Sequence, residues 1–270
     1  MDPYTFGGKY RLEEEISIDG CGVHTTSGKE VTIKLEPAIA KSSPLKQESK
    51  IYKTLMNGPG VPASGDLFRM YNRHFSFKTV LMLADQLHIH SRDFVYCDIK
   101  PANFTASSDC VVNVIDFGLA KKFRDPRTSF HIPYHQDDHH GVGTCLFAAI
   151  STHLGIECSR RDDLEGLAYI LIYFLRGTFP WRKIKDSSVS DTWDLIRDKK
   201  LETESVLTIG LSSEFDIVYK YVRALEFEDL RDYEGPRSLF RGLAEKHGFE
   251  YDGVFDWCAT GHVEGRQPAR

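Results

Sequence analysis

The 270-residue sequence has no long apolar run and no excess of basic residues. Its longest apolar run, residues 167–175, is far shorter than the roughly 20 residues that a membrane-spanning helix needs. The formal net charge of −5 provides no basic surface for nucleic acid. We therefore expect a soluble protein, cytoplasmic or also nuclear, with neither a membrane nor a nucleic acid as its partner.

The six cysteines include no C-x-x-C pair. This spacing argues against a zinc site or a disulfide framework and predicts free thiols in a reducing compartment. The first residues, Met-Asp-Pro, carry no signal-peptide pattern, which agrees with an intracellular location.

Two segments in the middle of the chain carry the residue types of a phosphoryl-transfer site. Asp98, Lys100 and Asn103 surround a proline, which prevents a regular helix between them. Asp116 follows an apolar run, as at the end of a buried strand, and begins an Asp-Phe-Gly turn. If the two loops meet, a carboxylate can accept a hydroxyl proton, a Lys can neutralise the moving phosphoryl group, and an Asn and an Asp can hold Mg²⁺. Asp-Phe-Gly alone is equally consistent with a simple turn, but with Asp-x-Lys-Pro-x-Asn before it the pattern predicts a protein kinase.

The first part of the chain predicts a small sheet followed by a helix. Alternation in the strand at residues 30–36 places Lys34 on one face, and Ser-Pro at 43–44 predicts a helix start that puts Glu48 about one turn in. Each charge on its own is consistent with an ordinary solvated surface residue. With the two loops downstream, we predict that Lys34 anchors phosphates and that Glu48 holds it.

Longer strings resemble the casein kinase I family of protein serine/threonine kinases, over a stretch from about Lys9 to Trp257. They include Val-Thr-Ile-Lys-Leu-Glu (31–36), Asp-Phe-Gly-Leu-Ala-Lys-Lys-Phe-Arg-Asp (116–125), His-Ile-Pro-Tyr (131–134), Thr-His-Leu-Gly-Ile-Glu (152–157), Ser-Arg-Arg-Asp-Asp-Leu-Glu (159–165) and Tyr-Asp-x-Val-Phe-Asp-Trp (251–257).

This resemblance implies an α+β, bilobal fold, with a small truncated β-rich N-lobe at about 1–65 and a larger, mainly helical C-lobe at about 66–258. Residues 259–270 are expected to form a disordered tail, and we expect a monomer. The implied reaction transfers the γ-phosphoryl of Mg-ATP to Ser or Thr hydroxyls of protein substrates. The implied roles are a catalytic base (Asp98), a phosphoryl-contacting Lys (Lys100), an ion pair on the nucleotide phosphates (Lys34 and Glu48) and two Mg ligands that complete the cofactor site (Asn103 and Asp116).

The chain departs from the family pattern where the nucleotide would be held. Residues 16–22 lack a G-x-G-x-x-G loop, and we expect the second strand to be largely missing and Gly20-x-Gly22 to form a turn. The stretch from Met56 to Asp66 leaves no room for the two strands and the adenine-contacting hinge of the family. Leu146 stands where the family has an Arg that binds a phosphate on the substrate, so a preference for pre-phosphorylated substrates is not expected.

Two further features have alternative interpretations. Cys97 replaces the Arg that commonly pairs with a phosphorylated activation loop, and we interpret it as a buried inert thiol rather than a reactive one. The histidines at 131, 135, 139 and 140 could bind a metal, but we interpret this segment as a solvated activation loop. The loop that follows, residues 141–147, is then expected to form the floor for the protein substrate.

Helical periodicity and aromatic residues indicate the core of the larger lobe. An apolar helix at 164–175 is preceded by Asp163, which by resemblance bonds the catalytic-loop backbone or simply caps the helix. Further helices are predicted near 79–91, 191–199, 212–224 and 236–246, with Trp193, Tyr251 and Trp257 in the core.

Three interpretations of function stay open at this stage. The chain is an active kinase, because all six site residues are present together; or it is a catalytically weak or inactive pseudokinase that acts as a binding or scaffold protein, because the nucleotide-gripping segments are missing. The third is that the deduced sequence omits coding segments.

Overall fold

In this computed structural model the described residues are 5–6, 10–16, 19–27, 30–34, 44–55, 75–86, 90, 93–106, 112–138 and 140–256. The predicted tail at 259–270, Trp257, and the stretch in which the hinge strands were expected to be absent lie outside these residues.

The N-terminal part forms a four-stranded antiparallel sheet in which strand order follows the chain. Its strands are β1 (Thr5–Phe6), β2 (Tyr10–Ile16), β3 (Asp19–His24) and β4 (Glu30–Lys34). The prediction that the second strand is largely missing is therefore wrong. Gly20 and Gly22 lie inside β3, paired with β2 on one side and β4 on the other, and not in a turn. The strand is held by ladder hydrogen bonds on both sides, which outweigh the low strand propensity of glycine.

Helix α1 (Pro44–Leu55) begins at the predicted proline. Proline suits the first helical position because its missing N–H would have no partner there. Glu48 and Ile51 are three residues apart and both buried, so one face of α1 is turned inwards. Ile51 belongs to the same hydrophobic cluster as Phe117, which connects α1 to the larger part of the protein.

The larger part is mainly helical. Its helices are α2 (Phe77–Gln86), α3 (Ile150–His153), α4 (Arg160–Arg176), α5 (Val189–Thr203), α6 (Ser213–Arg223) and α7 (Glu234–Lys246), together with 3₁₀ turns at Pro101–Asn103 and Glu204–Val206. Two antiparallel strand pairs complete it, β5 (Phe94–Val95) with β8 (Lys121–Lys122), and β6 (Phe104–Ala106) with β7 (Val112–Val114).

Helix α4 is the centre of the core. It is apolar around much of its circumference, and most of its residues are buried. The helix starts earlier than predicted because Ser159 and Asp162 form a capping box, and it ends at Gly177, whose φ of 71° glycine adopts without strain. None of the helices in the described ranges is both long and apolar enough to cross a membrane.

Aromatic side chains fill the space around α4. Phe179 and Trp181 stack with centroids 4.5 Å apart, and Trp193 is buried as predicted. The core prediction is wrong for Tyr251, which is 38% exposed. Its hydroxyl donates to the Leu81 carbonyl over 3.2 Å, so the partly exposed side chain lies against α2.

Candidate active site

The loop after β5 brings three of the predicted site residues together. The Asp98 carboxylate is 7% exposed. Its Oδ2 accepts from Lys100 Nζ at 2.6 Å and from Asn103 Nδ2 at 3.2 Å. The Asn103 amide also donates to the Asp98 carbonyl at 3.0 Å, so Asn103, itself buried, fixes both ends of the aspartate.

The local backbone explains why these side chains converge. Proline at 101 opens a 3₁₀ turn that ends at Asn103, which turns the Asn103 side chain back over Asp98. Cys97, directly before Asp98, has a φ of 67°, a backbone conformation that few residues other than glycine adopt. Strain of this kind is kept only where the surrounding structure enforces it.

Asp163, near the start of α4, holds this loop in place. Its two carboxylate oxygens accept from the backbone N–H groups of Tyr96 at 2.6 Å and of Cys97 at 2.8 Å. The same carboxylate lies 2.9 Å from His90 Nε2. The interaction with the loop backbone agrees with the one that the resemblance implies for Asp163.

The Asp-Phe-Gly turn lies against the same loop through main-chain bonds. The Ile115 N–H donates to the Asn103 carbonyl over 3.0 Å, and the Tyr96 hydroxyl donates to the Ile115 carbonyl. Asp116 has a φ of 61°, and its Oδ1 accepts from the Gly118 N–H at 3.3 Å. The backbone therefore has a positive φ in each of the two loops, at Cys97 directly before Asp98 and at Asp116 itself.

Glu48 reaches this turn from α1. A Cβ placed on Gly118 would lie 3.2 Å from Asp116 Oδ1 and 4.0 Å from Glu48 Oε2, so both carboxylates approach the same glycine. Glu48 is 5% exposed, far from the solvated helix charge that was the alternative. Lys34 is the last residue of β4, where it pairs with Asp19, and its side chain lies outside the described part. Its pairing with Glu48 stays a prediction.

The loop at residues 141–147, predicted to form the floor for a protein substrate, contacts Asp98 directly. Thr144 Oγ1 donates to Asp98 Oδ1 at 2.7 Å. Gly143 has a φ of 105°, and a Cβ there would meet the Cys97 carbonyl oxygen at 2.6 Å. Only glycine lets this loop pass so close to the strained residue before Asp98.

A buried lysine ties the far side of this loop to α5. Lys200 is 1% exposed, and its Nζ lies 3.0 Å from the Cys145 carbonyl, 2.6 Å from the Ala148 carbonyl and 3.1 Å from His153 Nε2. The ammonium also lies over the rings of Tyr169 and Trp181. Three acceptors and two aromatic faces together compensate for the loss of hydration.

His153 is arranged to remain neutral. Its Nδ1 lies 2.9 Å from the Trp193 carbonyl, which requires an N–H there and leaves Nε2 to accept from Lys200. Burial, followed by the charge of Lys200, lowers the pKa of His153 to about 3. Burial likewise lowers the pKa of Lys200 to about 7.

The histidine segment after the turn forms no metal site in the described part of the chain. His135 pairs with Asp137 at the surface, and His140 stacks on Trp193 with centroids 4.4 Å apart. His139 lies outside the described residues.

Cys97 is half-buried, so the prediction of a buried thiol is wrong in that respect. Its side chain meets the thiol of Cys158, and this contact, together with burial, raises the pKa of Cys158 well above its usual value.

Sequence reasoning did not identify Thr144, Lys200 or His90. Thr144 stands within the predicted substrate floor, so its position was indicated but its contact with Asp98 was not. Lys200 follows another lysine on an amphipathic helix, and no local pattern distinguishes the buried one.

A family model described as the protein kinase domain matches residues 63–221, more than half of the chain. The chain belongs to the protein kinase domain family. The matched region contains Asp98, Lys100, Asn103 and Asp116, whereas the β-sheet and α1 precede it. The predicted fold class, an α+β kinase-like fold with a truncated N-lobe, is confirmed. A kinase domain implies ATP, typically with Mg²⁺, and protein substrates.

Proposed function

We propose that this kinase domain is an ATP-dependent serine/threonine protein kinase of the casein kinase I type. The observation that carries the proposal is the Asp98 carboxylate, which receives donors from Lys100, Asn103 and Thr144 in one loop cluster. The strings that resemble casein kinase I supply the family, because they extend well beyond the general kinase motifs.

Asp98 is the base in this proposal. Its carboxylate is fixed by three donors from different directions, so it accepts the proton of an acceptor hydroxyl without first reorienting. Lys100 is 26% exposed in its side chain and sits at the edge of the same cluster, where it neutralises charge on the transferred phosphoryl group.

The residues present fit a Mg²⁺ ion with a nucleotide triphosphate. Asn103 directs its amide nitrogen to Asp98, which leaves its oxygen outside that hydrogen bond. Asp116 would add a carboxylate, since it follows β7 by two residues and the partner strand β6 begins directly after Asn103. Glu48 brings a further carboxylate to Gly118, where Lys34 of β4 would join it to hold the phosphates. Mg²⁺ bound here supplies neutralisation of the charge that develops on the phosphoryl oxygens.

Thr144 supports Ser and Thr as acceptors. It belongs to the substrate floor and donates directly to the proposed base, so the floor and the base are separated by a single hydrogen bond. The assignment of Ser and Thr as acceptors rests further on the strings that resemble a family of serine/threonine kinases.

One observation favours a second candidate, a pseudokinase that acts as a binding or scaffold protein. Ile16 of β2 pairs with Asp19 of β3, which leaves two residues to connect these strands. Such a short connection offers few backbone N–H groups to cover phosphates. Losing one preorganised electrostatic group typically lowers a rate by about 10²–10³, so losing a loop of them could remove turnover.

Nucleotide binding and acceptor identity test the proposal separately. A thermal-shift titration with Mg-ATP is expected to stabilise the protein, and Asp116→Asn to weaken that stabilisation, with Asp125→Asn on the exposed loop as the matched control. After transfer from radiolabelled ATP to casein, acid hydrolysis is expected to release phosphoserine or phosphothreonine. Stabilisation without transfer supports the pseudokinase, and label in phosphotyrosine contradicts the acceptor assignment.

A further inference from the structure

A cavity lies against the catalytic loop, where Ile99 and Asp163 form part of its lining. It has a volume of about 520 Å³, within the range of small-molecule sites. Its walls come from the start of α4, the segment after β8 and the loop before α7. Four arginines line it: Arg124, Arg160, Arg231 and Arg237.

Two of these arginines are buried, and among the described residues neither has a carboxylate within ion-pair distance. Arg160 is 6% exposed and Arg231 is 8% exposed. Both donate to the same acceptor, the Asp229 carbonyl, so their guanidinium groups lie side by side. The Nε atom of each is buried and has no hydrogen-bond partner within the part of the chain that the structure describes.

Among the described residues, the other contacts of the two guanidinium groups are with neutral groups, including the Tyr233 hydroxyl beside Arg160, and the Asp229 carboxylate acts on Arg231 only from beyond ion-pair distance. Arg231 donates otherwise to the carbonyls of Glu226 and Phe227, and Arg160 lies 4.4 Å from the ring centroid of Phe123. Burial and the charge of Arg160 lower the pKa of Arg231, which is what two adjacent cations in a low-dielectric site would produce. Buried charges of one sign normally pair with an opposite charge, so this arrangement lacks an anion.

The carboxylates in the cavity do not supply that anion. Asp163 is buried but already accepts from two backbone N–H groups and faces His90. Glu234 is exposed and pairs with Arg237 at 2.9 Å. Asp232, also exposed, accepts from the Gly235 N–H, and Asp93 is half-buried in the turn before β5. Positive charge therefore lies deep in the cavity, whereas the exposed carboxylates of Asp232 and Glu234 lie towards its rim and already have partners.

We propose that this cavity binds a compact phosphate-bearing small molecule, with Arg160 and Arg231 holding the phosphoryl group and Arg124 closing over it. A phosphoryl group offers three acceptor oxygens and about two negative charges, which match side-by-side guanidinium forks better than a single carboxylate does. Arg124 is half-buried, and among the described residues it has no carboxylate within ion-pair distance, so it is available as the third donor.

The cavity shares a wall with the catalytic loop. His90 lies 2.9 Å from the Tyr233 hydroxyl through Nδ1 and 2.9 Å from Asp163 through Nε2, and Asp163 holds the backbone just before Asp98. Binding is nevertheless measured without phosphoryl transfer, so the failure of the kinase proposal would leave this test intact.

Isothermal titration with inorganic phosphate and with glucose 6-phosphate, in buffer without Mg²⁺ and at constant ionic strength, tests the proposal. One saturable site is expected for at least one probe. Arg124→Gln should weaken its affinity about tenfold or more, since it removes a charged donor at the edge of the cavity. Arg127→Gln, an exposed arginine of the same segment outside the cavity, should change it less than about twofold.

Arg231→Gln provides a second variant that removes charge from the deep end and should abolish binding. Because Arg231 also donates to three carbonyls, circular dichroism must show that the Arg231→Gln variant is folded. If that variant does not fold, the comparison of Arg124→Gln with Arg127→Gln decides the test. The proposal is overturned if neither probe binds more tightly than chloride, or if Arg124→Gln and Arg127→Gln bind equally well, which would place the bound anion outside this cavity.

Discussion

Replacing Lys200 with Met tests whether the buried lysine positions the substrate floor. The substitution keeps the unbranched stem but removes three donors, those to Cys145, Ala148 and His153. It removes the lysine donor from two carbonyls, of which, among the described residues, only that of Cys145 keeps another neighbour, His153 Nε2 at 3.1 Å. Each lost donor costs about 1–3 kcal/mol, while the desolvation cost of the ammonium disappears. We expect a net loss of about 3 kcal/mol in the free energy of unfolding.

Two measurements follow for this variant. Urea unfolding gives the change in stability, and steady-state kinetics with a protein substrate separate the two KM values. Because Lys200 bonds the floor and not the Asp-Phe-Gly turn, KM for the protein substrate should rise while KM for ATP changes little. Lys199→Met is the matched control, since Lys199 is partly exposed and pairs only with Glu202 on the helix surface, and its cost should stay below about 0.5 kcal/mol. Equal stability of the two variants would refute the role of Lys200.

Two further predictions concern the same loop. Gly143→Ala should destabilise the protein in urea unfolding by at least about 1 kcal/mol more than Gly210→Ala. Both glycines have positive φ, but only the Cβ at position 143 would meet the Cys97 carbonyl. Equal losses of stability would show that the backbone conformation alone matters. His153 has a pKa of about 3 when folded against 6.5 when exposed, so the unfolded state binds more protons between these values and stability falls as the pH drops through that window. At pH 5 this loss reaches about 2 kcal/mol. Urea unfolding at pH 7.5 and pH 5 gives the difference in the free energy of unfolding, and His153→Gln should reduce that difference by this amount. An unchanged difference would contradict a neutral buried His153. The raised pKa of Asp162, about 6, acts in the opposite direction, and the lowered pKa of Lys200, about 7, acts in the same direction; both groups are present in both proteins.

The sequence predicted the helical part of the fold because its signals are local. Amphipathic periodicity, the proline at 44 and the apolar run of α4 each specify an element without reference to the rest of the chain. The start of α4 was missed by a few residues because a capping box depends on side-chain geometry that composition does not reveal. Strand β3 was missed because its two glycines indicate a turn, and only pairing on both sides makes it a strand.

The proximity of Asp98, Lys100 and Asn103 was accessible from the sequence because all three lie on one short loop. The contacts that support them were not, because they join distant segments: Thr144 reaches Asp98 across 46 residues, and Asp163 reaches Cys97 across 66. Burial of Lys200 and of the arginine pair at 160 and 231 also depends on tertiary packing alone. Charged residues with these surroundings cannot be distinguished from surface charges by local pattern.

Transfer of label from Mg-[γ-³²P]ATP to casein by the parent protein and by Asp98→Asn tests the central claim most directly. The asparagine keeps the size of the side chain and leaves Lys100 and Thr144 within contact distance. It cannot, however, accept the hydroxyl proton as a carboxylate does. We predict measurable incorporation by the parent and a loss of at least about 10²-fold in the variant, with Mg-ATP binding retained. Equal incorporation by the two proteins would contradict the assignment of Asp98 as the base.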